Sequence, residues 1–422
     1  MKKKIALMLL LLVLLLFSFP HLFPGTYRTW ILKAPPMAND KRATKEGITA
    51  MVGANNRFAI EFYSQLKNKP GNLFFSPYSI STALAMLYEG ARGTTATEIQ
   101  TAVSLPGDGN IRKPAIAAIY NRLNPDDGDF TLRVANALWM QTGYDSIAQY
   151  KDDIQQYYCA KLGSVDFQNS PGKAISLINK WVAKSTNNKI AGILSEDNLN
   201  NQTKFIFINA IYFKGKWEQP FEKSDTVNKK FNIGQNNSVE VPMMNQEGFF
   251  RYSENDLFQS LEMPYKGDML SMIILLPKKN DLPWFENNFT IETIIDLRKK
   301  LSELEVNVEI PKFRFDFGER LKKYLVPMGV KKAFSSGADF SGIEKGHELL
   351  LDEIFHKAYV DVNEEGTEAA AVTFGEKAEA PPPEPVKFIA DHPFIFLIQD
   401  RTNGNILFIG RVVNPSLTGS DS

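Results

Sequence analysis

Residues 362–385 constrain the fold most, because one stretch joins two incompatible solubilities. It opens as Val362-Asn363-Glu364-Glu365-Gly366-Thr367-Glu368-Ala369-Ala370-Ala371-Val372-Thr373, a strand that passes through a glycine into small and β-branched residues. It continues as Phe374-Gly375-Glu376-Lys377-Ala378-Glu379-Ala380-Pro381-Pro382-Pro383, whose charges and consecutive prolines bar a packed core. A fold containing this stretch must offer a sheet at one end and solvent at the other. Such a loop can add itself to a sheet as a new strand, which makes it a candidate switch.

The rest of the chain can supply that sheet. Of 422 residues, 44% are hydrophobic, with 30 Phe and 14 Tyr, ample for a large core. Lys+Arg and Asp+Glu are both 48, so no global field favours nucleic acid as a partner. The single cysteine, Cys159, rules out an intramolecular disulfide and a structural zinc cluster, and reads as a small buried hydrophobe. No Gly-x-Ser-x-Gly elbow, phosphate loop or His-Glu-x-x-His helix occurs. The histidines His21, His347, His356 and His392 assemble no catalytic triad. No enzyme activity, catalytic residue, metal or cofactor is expected; His356 reads as a hydrogen-bonding core residue.

At the N-terminus, Lys2, Lys3 and Lys4 precede the apolar run from Ile5 to Phe19, the pattern of a secretory signal. Phe19-Pro20-His21-Leu22-Phe23-Pro24 offers no small-x-small cleavage site, so a cleaved signal and an uncleaved anchor both stay open. Residues 1–24 are read as signal peptide or signal anchor, 25–49 as a tether and 50–416 as one domain. The expected location is extracytoplasmic, secreted or anchored, with membrane contact only through that segment.

Within the domain, Asn55 to Leu66 carries Phe58, Phe62 and Leu66 at helical spacing, and Ser76 to Tyr88 carries Ile80, Leu84 and Leu87 on one face. Further helices fit Ile175–Thr186 and Ile291–Leu301. Strands fit Phe205–Phe213, Met269–Leu276, Val306–Ile310, Phe394–Ile398 and Ile406–Arg411, the last two joined by an Asn403-Gly404 turn. Helices dominate the first half and strands the second, an α+β order.

These residues carry a resemblance. The loop Asn363 to Ala371 resembles the hinge of the serpin family, the suicide-substrate protease inhibitors. Asn72-Leu73-Phe74-Phe75-Ser76-Pro77-Tyr78-Ser79-Ile80, Leu87 to Thr95, Asn209 to Trp217, Asp391 to Phe396 and Phe408 to Pro415 resemble further signatures, in family order across residues 50–416. The resemblance implies three β-sheets with about nine helices and an exposed reactive-centre loop, about 364–385, above a central five-stranded sheet. It implies that a protease attacks the loop, becomes acylated, and is trapped when the cut loop enters the sheet. About ten new strand hydrogen bonds at about 1 kcal/mol each would drive this by on the order of 10 kcal/mol, comparable to a domain's stability.

In the family phase the hinge, Glu365 to Thr373, turns Thr367, Ala369, Ala371 and Thr373 inward and Glu368, Ala370 and Val372 outward. The inward set is small, uncharged and free of proline, as insertion requires. Ser76, Ser79, Asn209 and His356 match the shutter beneath the opening sheet, and Trp217 matches the breach, where the loop first enters. Counts from the hinge and back from Val386-Lys387-Phe388 both place the reactive bond at Ala380–Pro381. Ala380 before the cut suggests an elastase-like serine protease as the partner of a monomeric inhibitor. Pro381 departs from the family, since serine proteases cleave poorly before proline. Lys377 and the Glu379–Ala380 bond are neighbouring alternatives. The rival readings are a serpin-fold binding protein or plain substrate, and a cross-class inhibitor of papain-like cysteine proteases.

Overall fold

The chain alternates long apolar runs with amphipathic segments, and the computed structural model resolves these into sheets backed by helices. It describes residues 37–124, 129–200, 202–234, 237–345, 349–367 and 384–417. The expected signal and the loop from Glu368 through Ala380 and Pro381 lie outside these residues.

The first half is mainly helical. Helix α1 (Lys45–Leu66) is capped by Thr44, whose side chain accepts the Gly47 N–H. Strand β1 (Leu73–Phe75) leads into α2 (Pro77–Gly90), which Ser76 caps by accepting the Ser79 N–H, with Pro77 in the first turn where its missing N–H costs nothing. Then come α3 (Gly93–Ala102), α4 (Gly109–Leu123), β2 (Phe130–Gln141), α5 (Ala148–Tyr158), β3 (Lys161–Val165), α6 (Pro171–Ser185) and β4 (Phe205–Lys216).

The second half is mainly strands: β5 (Val227–Gly234), β6 (Asn237–Glu254), β7 (Phe258–Pro264) and β8 (Leu270–Pro277). After α7 (Leu282–Asn287) and α8 (Ile291–Lys300) follow β9 (Ser302–Pro311), β10 (Phe313–Arg320), α9 (Lys322–Leu325), β11 (Glu353–Val362) and β12 (Gly366–Thr367). The chain closes with β13 (Val386–Ile389), β14 (Phe394–Asp400) and β15 (Ile406–Val412). That is nine α-helices among the described residues, in the expected α+β arrangement.

Packing begins before residue 50, where the sequence reading placed the domain start. Ala38 is buried and exchanges hydrogen bonds with the Asn121 side chain, and Asn39 donates to the Gln156 carbonyl.

The central sheet runs β10-β11-β4-β2-β3, with β12 added to the end of β4. The remaining strands form one larger hydrogen-bonded sheet, because the long β6 serves two groups. It pairs with β5 and β9 along most of its length and with β7 at its end, so the three expected sheets appear as one separate and two sharing a strand.

Strand β4 separates two cores. Its Phe205, Phe207, Ile211 and Phe213 enter the main core with α1, α2, β14 and β15. Its Ile206, Ile208, Ala210 and Tyr212 face a second cluster built with α6. A strand buried on both faces reads as a continuous apolar run, and β4 does. Among the described residues no helix is long and apolar enough to cross a membrane.

Candidate functional site

Strands β4 and β11 are parallel and directly hydrogen-bonded, from Glu353 opposite Ile206 to Tyr359 opposite Tyr212. No strand lies between them, so the sheet is closed along a seam. The expected site residues line this seam at two levels.

Midway along it, His356 and Asn209 are register partners, and Asn136 of β2 is the register partner of Asn209 on the other side. Their side chains form a buried row. The Ser76 N–H donates to His356 Nε2 at 3.3 Å, so that nitrogen holds a lone pair and the proton sits on Nδ1. Nδ1–H then donates to Asn209 Oδ1 at 2.5 Å, across the seam. Asn209 Nδ2 donates to the Ser79 carbonyl at 3.0 Å, to Ser79 Oγ at 2.6 Å, and to Asn136 Oδ1. Ser76 Oγ donates to the Leu407 carbonyl at 2.6 Å while accepting from the Ser79 N–H. The structure thus brings Ser76, Ser79, Asn209 and His356 into one network and adds Asn136. A polar residue inside Val134-Ala135-Asn136-Ala137-Leu138 was the signal for it.

Burial pushes the His356 imidazole down from 6.5 to about 3. Protonation at Nε2 would also turn an acceptor into a donor facing the Ser76 N–H. Between pH 6.5 and 3 the unfolded chain binds a proton that the folded chain refuses, so stability is full above pH 6.5 and falls as acid is added. The loss is about 1.4 kcal/mol per pH unit. Denaturant unfolding at pH 7 and pH 5 is expected to show about 2 kcal/mol lost through this group, and His356→Gln to remove that component.

At the top of the seam the chain leaves β11 and turns. Asn363 and Gly366 exchange backbone hydrogen bonds at 3.0 and 3.1 Å. Gly366 has φ of +127°, and a Cβ there would lie 2.3 Å from the Gly215 carbonyl oxygen and 2.7 Å from the Trp217 nitrogen. Only glycine fits. After the turn, Gly366 and Thr367 pair antiparallel with Lys216 and Gly215.

Trp217 holds this turn. Its ring stacks on Tyr265 at 4.7 Å, its indole N–H donates to the Asn363 carbonyl at 3.0 Å, and its backbone N–H donates to the Glu365 carbonyl at 3.1 Å. Glu364 is buried, accepting from Lys312 Nζ and from Thr226 Oγ1, both at 2.9 Å. Burial pushes its carboxyl up, but the Lys312 ammonium and the remaining hydrogen bonds prevail and hold it below its ordinary value. Glu365 pairs with the exposed Lys223 at 2.5 Å. Lys312 and Lys223 are far from the hinge in sequence, and nothing in their local pattern marked them.

Gly366→Ala is expected to unseat the turn. Strain of about 3 kcal/mol corresponds to roughly a hundredfold faster exchange of the Trp217 amide proton, read by hydrogen exchange.

The remaining candidates are structural. Cys159 caps the end of α5 in the left-handed region, and burial pushes its thiol up, away from reactivity. His392 bridges Asp391 and the Pro277 carbonyl. His347, the hinge residues after Thr367, and the bond Ala380–Pro381 lie outside the described residues. No cluster of three or more His, Cys, Asp or Glu that could hold a metal occurs among the described residues.

Comparison with known proteins gives a consistent answer. A family model described as Serpin (serine protease inhibitor) matches residues 53–415. A serpin-like protein of Thermococcus kodakarensis is 43% identical over 369 residues, 86% of each chain. The leukocyte elastase inhibitor of Bos taurus is 38% identical over 379 residues, 86% of this chain and 98% of that one. The crystal structure of Serpin48 from the insect Tenebrio molitor superposes with a TM-score of 0.77 at 34% identity, covering 86% of this chain and 98% of that one.

Proposed function

The chain belongs to the serpin family, and from that premise we propose that it is an irreversible suicide-substrate inhibitor of a serine endopeptidase. The observation that carries this is the pairing of Gly366 and Thr367 with the end of β4, above a seam closed between β4 and β11.

That pairing sets a register. Continued down β4, it puts Ala369 opposite Phe213, Ala371 opposite Ile211, Thr373 opposite Asn209 and Lys377 opposite Phe205. Directly opposed residues share a face of the sheet. The entering strand would therefore turn Thr367, Ala369, Ala371 and Thr373 toward the main core, beside large neighbours that leave room only for small side chains. Glu368 would come opposite Lys214, a cross-strand pair of opposite charge. Lys377 would come opposite Phe205, the first residue of β4, so full insertion would leave its ammonium at the lower end of that strand.

The protease serine attacks the carbonyl of the residue before the cut, at Ala380–Pro381 by position. The new amine leaves with the C-terminal segment, and an ester joins Ala380 to the protease. Insertion of residues 367–377 then carries the acylated protease along the sheet before water can cleave the ester. The alanine before the cut and the similarity to an elastase inhibitor support an elastase-like target. We read the protein as a monomer without catalysis of its own. Residues 1–24 are proposed to export it, as a cleaved signal or as an anchor.

The test is to incubate the full chain with elastase-like, trypsin-like, subtilisin-like and papain-like proteases, then run denaturing gels and measure fragment masses. A denaturant-resistant complex with a cut at Ala380 is the expected result. Clean cleavage with every protease still active would reduce the protein to a substrate and leave the binding-protein reading in its place.

A further inference from the structure

A cleft of about 890 Å³ opens on the α6 face of the central sheet, over β10 and β11. Gly318, Arg320, Phe355 and Lys357 line it from the strands. Gly318 contributes no side chain, and a Cβ there would meet only atoms at 3.7 Å or beyond, so the floor is open at its centre. Val326 and Pro327, just beyond α9, form one wall. The other is the segment after α6, which contributes Ile193 and Asn198.

The two walls belong to different halves of the sheet. Asn179 of α6 holds the second wall in place, accepting the N–H groups of Ile193 and Leu194 at 3.0 Å and donating to the Leu194 carbonyl at 2.8 Å. Helix α6 in turn packs Ala174, Ile178 and Val182 against Ala137 and Trp139 of β2. That wall therefore moves with β2 and β4, and the floor with β10 and β11. The cleft straddles the seam. Seating a strand between β4 and β11 must widen their spacing by about 4.8 Å, which parts the walls.

The charge lining the cleft is not balanced. Lys357 pairs with Asp316 at 2.8 Å, Arg320 with Glu353 at 3.2 Å and Lys323 with Glu319 at 2.8 Å. The Lys322 ammonium has no ion-pair partner among the described residues and lies 5.5 Å from the Phe334 ring centre. Lys322 also acts on the Asp352 carboxyl outside the cleft, but the lining itself holds four cations, Arg320, Lys322, Lys323 and Lys357, against three carboxylates, Asp316, Glu319 and Glu353. That one excess positive charge, with the apolar Phe355, Ile193, Val326 and Pro327 in the same lining, fits a small anion with an apolar body. The volume suits a drug-sized molecule.

We propose that this cleft is a binding site for a small amphipathic anion, a carboxylate or sulfonate on an apolar body, and that its occupancy holds the β4–β11 seam closed. The regulatory half rests on the inhibitory reading above. A ligand that touches both walls binds the closed sheet and loses its site when the sheet opens. At a hundred times its Kd it lowers the open population about a hundredfold.

The experiment uses anilinonaphthalene sulfonate as the probe, titrated by fluorescence against the full chain, Gly318→Trp and Lys322→Glu. Saturable binding, weakened about tenfold or more in both variants, is expected. Absent binding, or binding that neither variant alters, overturns the site. Amide exchange of β11 is then followed with and without saturating probe. Exchange slowed about a hundredfold supports the closing role, and unchanged exchange overturns it. Neither readout involves a protease, so a protein that trapped none would still pass or fail both.

Discussion

Arginine in place of Thr373 is expected to leave the loop cleavable and to abolish trapping. On the proposed insertion, the register set by Gly366 and Thr367 would bring residue 373 to the level of Asn209, whose side chain lies on the main-core face of β4. There the buried Asn209–His356 bond crosses the seam, and the network beneath it consists of polar groups already engaged with one another. A guanidinium arriving at that level would meet no carboxylate in the network of described residues, and an unpaired buried charge costs several kcal/mol. That is a large share of an insertion drive on the order of 10 kcal/mol. Insertion would stall with the strand half seated, and water would release the protease. Denaturing gels should show complex yield falling at least tenfold, a loss of 1.4 kcal/mol or more in the partition, with the rate of loop cleavage little changed. An unchanged yield of complex would mean that residue 373 does not enter on that face.

The second large effect is expected from Asn209→Leu, which keeps the branching and heavy-atom count of the side chain and removes the polar hub. His356 Nδ1–H loses its acceptor, and the Ser79 hydroxyl and Asn136 Oδ1 lose a donor, all in the buried interior. Each orphaned buried group costs about 1–3 kcal/mol. Partial relaxation should leave a net loss of about 3–5 kcal/mol, at the severe end for one substitution. The Asn209–His356 bond is also a side-chain tie between the strands that must part, so its loss should loosen the seam. A lower denaturant midpoint, together with oligomers on native gels after mild heating, would report both consequences, since an open sheet exposes two edges to a neighbour's strand. A midpoint unchanged from the parent would show that the network is dispensable.

What the sequence revealed followed from how local each signal was. β4 was legible as an apolar run, and the β14–β15 hairpin was legible from its Asn-Gly turn, where Gly404 adopts a φ of +74°. Ser76, Ser79, Asn209 and His356 were singled out through resemblance, and their meeting depends on two strands and a helix end. β2 was not read as a strand, because Arg133 and Asn136 interrupt its apolar pattern, and Asn136 was missed with it. The start of α1 was also misplaced. Thr44 is a good cap, but Lys45, Glu46 and Gly47 look like linker when no tertiary partner is known. The pairing of Glu364 with Lys312 joins residues that no spacing rule connects, and only the folded sheet brings them within 2.9 Å.

The turn at Gly366 has one more consequence, concerning which parts of the loop are free to vary. Because pairing begins at Gly366, the inward or outward assignment of each later residue in an inserting strand would be counted from the hinge end alone. One residue added between Thr367 and Lys377 would send every side chain after it to the opposite face. One added between Lys377 and Val386 would change none of them. On the inhibitory proposal the bait and the strand would be written in separate stretches of a single loop, so that the bait could be rewritten for a new protease while the strand stayed as it is.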